Sequence, residues 1–430
     1  MGRKEFDMLE YWYKERRTLV DFRRGTLGPH FDGFASYLKE MGYRNTTGKS
    51  VLGKCCLFND YLIHQGIDEC SGLSESIVEA FIEHHLADYR TTSLHEGTPK
   101  QCRAAAGMLL RYLRGIEVVK TRDPHGRNTQ KVPAEHQWIL DPYLRYLRED
   151  RKLAGVTIER HRTVCCAFLE GLGEHVSPTR MKSLNVEVVK TYLVKHLEDS
   201  PENRRSLTSS LRGFLRFCAE HGHTAEDLSG VVPSVPSYRH ASLPRGIEDA
   251  ALQRILNAVP LDTPIGARDY AIMLLMMAYG IRGKSAAELT LDDINWERST
   301  IRIRAQKGGK EVILPLLEAV GEAILRYLRH RPATSFREVF LKVKAPVGPL
   351  KSTRISMMIR EYMHKAGVHR PRGGSTMLRH SWAIRALAHD SPIKAIADVL
   401  GHQYLDTTFI YAKADLKMLE QVPMPWPEGR

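Results

Sequence analysis

The sequence predicts a mainly α-helical protein with a small antiparallel β-sheet, built from two tandem helical domains followed by an α+β domain. Two observations support this prediction. Amphipathic helical patterns in the first half of the chain recur at a nearly constant offset. The last part combines a long apolar helix with the alternating pattern of a β-hairpin. With 430 residues, the chain is long enough for roughly two to four domains.

Two polar stretches that contain proline and glycine predict where the domains separate. We expect an extension over residues 1–28, a helical domain over 29–118, a linker over 119–132, a second helical domain over 133–228, a linker over 229–246 and the α+β domain over 247–430.

The two helical domains resemble each other in sequence. Four segments of the first domain have counterparts about 110 residues later, which indicates one helical design used twice. Chance similarity between amphipathic helices is the alternative. The matched segments are Tyr37-Leu38 with Tyr146-Leu147, Cys55-Cys56 with Cys165-Cys166, Phe81 with Tyr192, and Leu110-Arg111-Tyr112 with Leu215-Arg216-Phe217.

The composition favours a polyanionic partner, because 63 Lys and Arg residues against 50 Asp and Glu give a net charge of +13. Charge alone does not distinguish DNA, RNA and an anionic membrane surface, and a basic surface without a binding role is the alternative. No apolar run of about 18 residues is present, and the N-terminus lacks the apolar segment of a secretion signal, so we expect no membrane span. The seven cysteines contain no Cys-x-x-Cys pair and predict reduced core residues, without a disulfide framework or a metal site.

A helix predicted over residues 203–218 carries arginines largely off its apolar stripe. We predict that these side chains contact DNA phosphates, and a solvated charged face is the alternative. The four are Arg204, Arg205, Arg212 and Arg216.

The α+β domain begins with a nearly uninterrupted apolar run over residues 270–279, which predicts a buried helix. Gly280 is placed to end this helix in the left-handed conformation. Arg282 follows at once, at the end of a rigid element, although an ordinary surface arginine is the alternative. Residues 286–294 then predict a short helix that runs into a turn.

Residues 299–316 predict a β-hairpin, since apolar and polar side chains alternate along its first arm. Gly308-Gly309 supplies the two residues of a tight turn. Lys307 therefore lies at the tip, where a lysine is also common for solubility alone.

Ser375 is placed to cap the N-terminus of a further helix, on which Thr376 and Arg379 share a face. The next helix is predicted to open at Ser391-Pro392, with the proline at its first position.

That helix ends at Gly401, with His402 immediately after it. Another helix begins near Asp406 and contains Tyr411. A tyrosine in such an apolar stretch is usually a core residue whose hydroxyl reaches the surface.

Together and in this order, these segments resemble the phage integrase, or tyrosine recombinase, family over residues 247–415. The second helical domain also resembles that family's core-binding domain. The resemblance implies two SAM-like helical DNA-binding domains ahead of a tyrosine recombinase catalytic domain. The matching stretches are Tyr279-Gly-Ile-Arg282, Gln306-Lys307-Gly-Gly-Lys310 before Val312-Ile-Leu-Pro315-Leu316, Leu378-Arg379-His380, Leu400-Gly401-His402 and Thr407-Thr408-Phe-Ile-Tyr411.

The resemblance implies that Tyr411 is a nucleophile, which forms a 3′-phosphotyrosyl bond with DNA and needs no ATP. Arg282 and Arg379 are expected to bind the non-bridging phosphate oxygens and to stabilise the pentavalent transition state. They stand in for the cations of other nucleases, so no metal and no cofactor are implied. Lys307 is the expected general acid for the leaving 5′-oxygen, with Lys310 as the runner-up.

His402 is expected to hydrogen-bond the phosphate. The family usually carries a histidine, its base for the tyrosine proton, at the position of Thr376, and threonine cannot act as a base near neutral pH. His380 matches a histidine that many members already have, so the missing role is not transferred to it here. Ser285 replaces a frequent acidic residue.

The resemblance implies an enzyme that acts as a tetramer on two double-stranded DNA sites, through a Holliday junction. We expect the integrase or transposase of a mobile element, cytoplasmic in a bacterium, with companion recombinases from the same element; a chromosome-dimer resolvase also fits. One alternative is a DNA-binding assembly subunit with weak or no catalysis, which Thr376 motivates. Another is a relaxing topoisomerase that acts as a monomer without site specificity.

Overall fold

The computed structural model describes residues 8–89, 98–119, 132–173, 176–197, 201–235, 246–305, 310–370 and 373–412. The chain forms two compact units, one of residues 1–120 with 239–430 and the other of residues 121–238. The predicted mainly helical composition with a small antiparallel sheet is confirmed, since helices dominate and the sheets are small and antiparallel. Among the helices described, none is both long enough and apolar enough to cross a bilayer.

The N-terminal helices surround an aromatic and aliphatic core, in which Phe34 and Phe58 are fully buried. Residues 1–28 were expected to be an extension, but Trp12 and Phe22 lie in this same core, because the two short helices that carry them are amphipathic. The helices are α1 (Leu9–Trp12), α2 (Arg16–Arg23), α3 (Phe31–Glu40), α4 (Asn45–His64), α5 (Glu75–Tyr89) and α6 (Pro99–Gly115).

The second unit is a separate four-helix core. Its helices are α7 (Gln137–Glu149), α8 (Gly155–Leu172), α9 (Val186–Leu197) and α10 (Pro201–Glu220). The aromatic contacts inside this core resemble those among α3 to α6, and the use of one helical design twice stays a prediction. The matched ring pairs, with centroid distances, are Phe34–Tyr112 at 5.4 Å and Tyr143–Phe217 at 5.1 Å, then Phe58–Phe81 at 5.2 Å and Phe168–Tyr192 at 4.9 Å.

The C-terminal part has its own core around the helix that the apolar run predicted. This helix starts at Pro264, six residues before the predicted run, because Thr263 caps its N-terminus. The helices are α11 (Asp249–Asn257), α12 (Pro264–Tyr279), α13 (Gly283–Ala287), α14 (Glu318–Leu328), α15 (Ser352–Lys365), α16 (Ser375–Ala388), α17 (Ile393–Leu400) and α18 (Phe409–Ala412).

The predicted hairpin is present as two paired strands of a three-stranded antiparallel sheet. Its register places Ile301 opposite Leu314, and the hydroxyl of Tyr279 anchors the sheet to α12 by donating to the carbonyl of Pro315 at 2.8 Å. The predicted turn at the tip lies outside the described residues. The strands are β1 (Ile294–Asn295), β2 (Thr300–Ile303) and β3 (Val312–Pro315), with a second sheet of β4 (Leu341–Lys342) and β5 (Gly348–Pro349).

Gly280 ends α12 in the left-handed conformation, as predicted, with φ of +60°. A Cβ atom on it would lie 2.8 Å from the Trp382 ring. We therefore expect Gly280→Ala to lower the free energy of unfolding by about 1–2 kcal/mol, measured by urea unfolding. The matched control is Gly321→Ala within α14, where the new Cβ makes ordinary contacts at 3.6 Å or more and the helix gains stability. Equal stability of the two variants would contradict this account.

Candidate active site

Three side chains of α16 fix the C-terminal end of α12. Arg379, Trp382 and Arg385 are three residues apart and therefore share one face of the helix. Arg385 donates to the carbonyl of Met277 at 2.8 Å, Trp382 to that of Ala278 at 2.8 Å, and Arg379 to that of Gly280 at 3.0 Å. The last carbonyls of α12, which the helix itself cannot satisfy, are thus bound by α16.

Arg379 is a buried cation, with only 7% of its surface exposed. Besides Gly280, it donates to the carbonyl of Leu400 at 2.9 Å and to Nε2 of His402 at 2.7 Å. Burial and the nearby Arg282 lower its pKa to about 10. No carboxylate forms an ion pair with Arg379 within the part of the chain that the structure describes. A positive charge without a counter-ion therefore faces the site.

Arg282, half-buried just beyond Gly280, points towards the same carbonyl of Leu400, with its Nη1 at 3.5 Å. Burial lowers the pKa of Arg282. Leu400 is the last residue of α17, where carbonyl oxygens carry partial negative charge. This helix end orients both guanidinium groups without neutralising them.

His402 is held in one tautomer by its two hydrogen bonds. Arginine has only donors, so Nε2 of His402 accepts from Arg379. Nδ1 then carries the hydrogen and donates to Oγ1 of the buried Thr408 at 2.7 Å. Burial, followed by the two arginines, lowers the pKa of His402 to about 4. The imidazole is neutral at physiological pH.

Tyr411, on α18, is 2% exposed, and its hydroxyl lies 2.9 Å from Nδ1 of His380. Burial raises the pKa of Tyr411, although Arg379 and Arg282 act in the opposite direction. Burial and then the charge of Arg379 lower the pKa of His380. The phenol is therefore protonated and the imidazole neutral near pH 7.

The structure brings Arg282, Arg379, His402 and Tyr411 together around one groove, with the exposed Thr376 also on its wall. The hydrogen bond between Tyr411 and His380 was not predicted, because residue spacing does not show which side chains meet across α16 and α18. The partner of His402, Thr408, was within a recognised motif but was given no role.

Of the two hairpin lysines considered as general acid, the structure describes only Lys310. Lys307 lies outside the described residues. Lys310, the runner-up, is exposed and lines a small pocket together with Arg282 and Arg379. Ser285, where an acidic residue is frequent, is buried in the lining of that pocket and adds no negative charge.

Two predicted helix starts shift by one residue. Gly374, rather than Ser375, is the N-cap of α16, and Ser375 instead shares a hydrogen bond of 2.6 Å with Ser356. Pro392 is the N-cap of α17 rather than its first residue. In both cases the N-cap lies one residue away from the position that capping preferences favour.

The four arginines of α10 have different environments. Arg205 and Arg216 are exposed. Arg212 donates to the carbonyls of Val232 and Pro233, both at 3.0 Å, so it holds the end of its own unit together. Arg204 is half-buried. Contact of these side chains with DNA stays a prediction.

Chemically, the groove offers a phenol, neutral imidazoles and two guanidinium groups that form no ion pair with a carboxylate among the described residues. Guanidinium pairs suit the oxygens of a phosphodiester, and a phenol beside them has the chemistry of a nucleophile. Among the described residues, no group of three or more His, Cys, Asp or Glu side chains could hold a metal ion.

Comparison with known proteins gives the same class. The profile of the Phage integrase family matches residues 246–418. The chain is 32% identical over 399 residues to y4rA of Sinorhizobium fredii, whose name describes it as an integrase/recombinase; the match covers 92% of this chain and 93% of that protein. It is 29% identical to tyrosine recombinase XerD of Xanthomonas axonopodis pv. citri, over 52% of this chain and 75% of XerD.

Solved structures show the same fold. XerH site-specific recombinase bound to its difH substrate matches with a TM-score of 0.53 and 19% identity, over 67% of this chain and 85% of that one. A lambda integrase dimer bound to a core site matches with a TM-score of 0.53 and 15% identity, over 79% and 93%.

Fold, site and relatives thus define a tyrosine-type site-specific recombinase. The chain belongs to the phage integrase family.

The depressed pKa of His402 makes stability depend on pH. An unfolded histidine binds a proton near pH 6.5, whereas folded His402 resists it until about pH 4. The free energy of unfolding should therefore fall as the pH drops through this window. We expect His402→Gln to flatten that dependence in urea unfolding across a pH series. The exposed His330 supplies the control, His330→Gln, and an equal slope in both variants would show that the pKa of His402 is not depressed.

Proposed function

We propose that this recombinase cuts and rejoins double-stranded DNA through a 3′-phosphotyrosyl bond to Tyr411. The observation that carries the proposal is the pair of uncompensated guanidinium groups, Arg282 and Arg379, beside the buried Tyr411 hydroxyl. A scissile phosphate placed between them supplies the missing negative charge and lies next to the Tyr411 hydroxyl.

In this mechanism, Oη of Tyr411 attacks phosphorus while the bond to the 5′-oxygen breaks. Arg282 and Arg379 each bind a non-bridging oxygen and stabilise the pentavalent state. Lys307 protonates the leaving 5′-oxygen. His402 is proposed to hydrogen-bond the phosphate, with its ring orientation set by Thr408. Because Nε2 of His402 accepts from Arg379 in the free protein, this contact requires that Nε2 gain a proton when the phosphate binds.

The covalent bond conserves the energy of the phosphodiester, so a second 5′-hydroxyl can reverse the step and complete strand exchange. We propose a tetramer on two DNA sites, with exchange through a Holliday junction, because lambda integrase has been solved as a tetramer bound to such a junction. The integration, excision or transposition of a bacterial mobile element, with companion recombinases, is the proposed role.

We propose that both helical cores, the one of α1 to α6 and the one of α7 to α10, contact DNA. Their matched aromatic pairs support one shared helical design. On α10, the exposed Arg205 and Arg216 suit phosphate contacts, whereas the carbonyl bonds of Arg212 favour a structural role.

Covalent trapping tests the nucleophile. We would incubate the protein with a duplex from the ends of the element that carries its gene, nicked so that the cleaved 5′ fragment diffuses away. We expect a protein–DNA band on a denaturing gel, its loss in Tyr411→Phe, and its retention in Tyr404→Phe, which removes an exposed neighbouring hydroxyl. Retarded DNA on a native gel with no covalent band would instead favour the DNA-binding assembly subunit.

A sulfur leaving group tests the general acid. A duplex with a 5′-bridging sulfur at the scissile position needs little protonation, because a thiolate is a far better leaving group than an alkoxide. We expect Lys307→Ala to slow cleavage of ordinary DNA by about 10²–10⁴-fold and to cleave the sulfur substrate at the wild-type rate. The control, Lys310→Ala, should cleave both at normal rates. If instead Lys310→Ala is the variant that slows cleavage of ordinary DNA and recovers the wild-type rate on the sulfur substrate, the general acid is Lys310.

A further inference from the structure

The proposed nucleophile needs a proton acceptor, and the usual one is missing. Threonine occupies position 376, and burial raises the pKa of Tyr411 above the ordinary phenol value near 10. Within the described ranges, the hydrogen-bond acceptor at Oη of Tyr411 is Nδ1 of His380, at 2.9 Å. Arg379 also contacts this hydroxyl, but arginine has only donors and cannot take its proton. We propose that His380 is the general base that takes the Tyr411 proton; this inference rests on the proposed function.

The position of His380 on the helix explains how it can replace the usual histidine. Residues 376 and 380 are four apart on α16 and therefore lie on the same face, one turn from each other. A base moved by one turn reaches the same hydroxyl if the tyrosine approaches that turn. Tyr411 does so: its ring centroid is 5.5 Å from that of His380, and burial restricts its motion.

The direction of the hydrogen bond suits proton transfer. The tautomer of His380 sets the direction, and with its ring hydrogen on Nε2 the imidazole accepts the phenolic O–H at Nδ1. We assign this tautomer, in which the proton that must leave Tyr411 points at the nitrogen that would receive it.

Charges around His380 link its basicity to substrate binding. The titratable and charged side chains that line its groove are Arg379 on its own helix, Arg282 after α12, His402 after α17 and Tyr411 on α18. Burial, followed by the charge of Arg379, disfavours a protonated imidazole in the free protein. A bound phosphate offsets both arginines, so His380 becomes a stronger base only when the scissile group is in place.

Bonds and protons balance in this step. The bond between phosphorus and Oη of Tyr411 forms while the bond between phosphorus and the 5′-oxygen breaks. The Tyr411 proton moves to Nδ1 of His380, and the leaving oxygen receives a proton from the general acid, Lys307 in our proposal. Rejoining reverses both transfers, so each group ends with the proton with which it began.

Single-turnover cleavage of the nicked duplex, followed on denaturing gels from pH 5 to 8, tests the role. The variant His380→Asn keeps an acceptor near the position of Nδ1 but cannot take a proton in this range. We expect its cleavage rate to fall by roughly 100-fold or more, and the decline of the wild-type rate at low pH to disappear. The exposed His389 at the end of the same helix provides the matched control, His389→Asn, with wild-type rates.

Chemical rescue distinguishes a base from a positioning contact. In His380→Ala, added imidazole should restore cleavage in proportion to its neutral fraction, whereas Tyr411→Phe should stay inactive. Cleavage by His380→Asn within about threefold of wild type, with an unchanged pH profile, would overturn the proposal. If either variant fails to fold, a wild-type rate with no decline towards pH 5 would overturn it equally. Absence of covalent product from the wild type itself would instead reject the proposed function.

Discussion

The catalytic domain depends on one buried cation. The guanidinium of Arg379 donates to the carbonyl of Gly280, to the carbonyl of Leu400 and to His402, and so joins the ends of α12 and α17 to α16. A buried charge is costly unless polar groups solvate it, and here carbonyl dipoles do so without cancelling it. The fold is therefore held together by a group that remains positively charged, and an anion in the groove relieves the same electrostatic cost that the free protein bears.

That arrangement explains why the neighbouring groups have the protonation states that they have. An arginine has five N–H donors, and the three protein acceptors leave others to face Tyr411 and a phosphate. Because His402 must accept from this arginine, it is neutral, and Thr408 completes its tautomer. His380 is neutral because burial, followed by the charge of Arg379, disfavours its protonated form. Burial and this one charge together keep both imidazoles neutral.

Local features of this domain were predictable from the sequence, and contacts between distant segments were not. The apolar run, the left-handed Gly280, the helix end at Gly401 and the alternating strands each express a preference of a few consecutive residues, and all are present. Helix starts shifted by one residue because capping depends on the neighbouring chain, as Ser375 shows by bonding Ser356. The meeting of His380 with Tyr411 depends on how α18 packs against α16, which no local pattern encodes. The family motif pointed to Tyr411, the proposed nucleophile, but places its base at a position that holds threonine in this chain.

The replacement at position 376 has a consequence for how the enzyme is controlled. In the proposed mechanism, burial and the charge of Arg379 weaken His380 as a base until a phosphate offsets that charge, whereas the hydroxyl of Tyr411 is hydrogen-bonded to it in the free protein. Under this proposal, attack by Tyr411 on a wrongly placed phosphate is disfavoured, because the charge that raises the basicity of His380 must lie beside Arg379. Binding of the phosphate would then raise the basicity of His380 as well as contribute to the affinity for DNA. The same physical link makes cleavage sensitive to small displacements of α18, since moving Tyr411 away from His380 breaks the proton path while leaving the phosphate site intact.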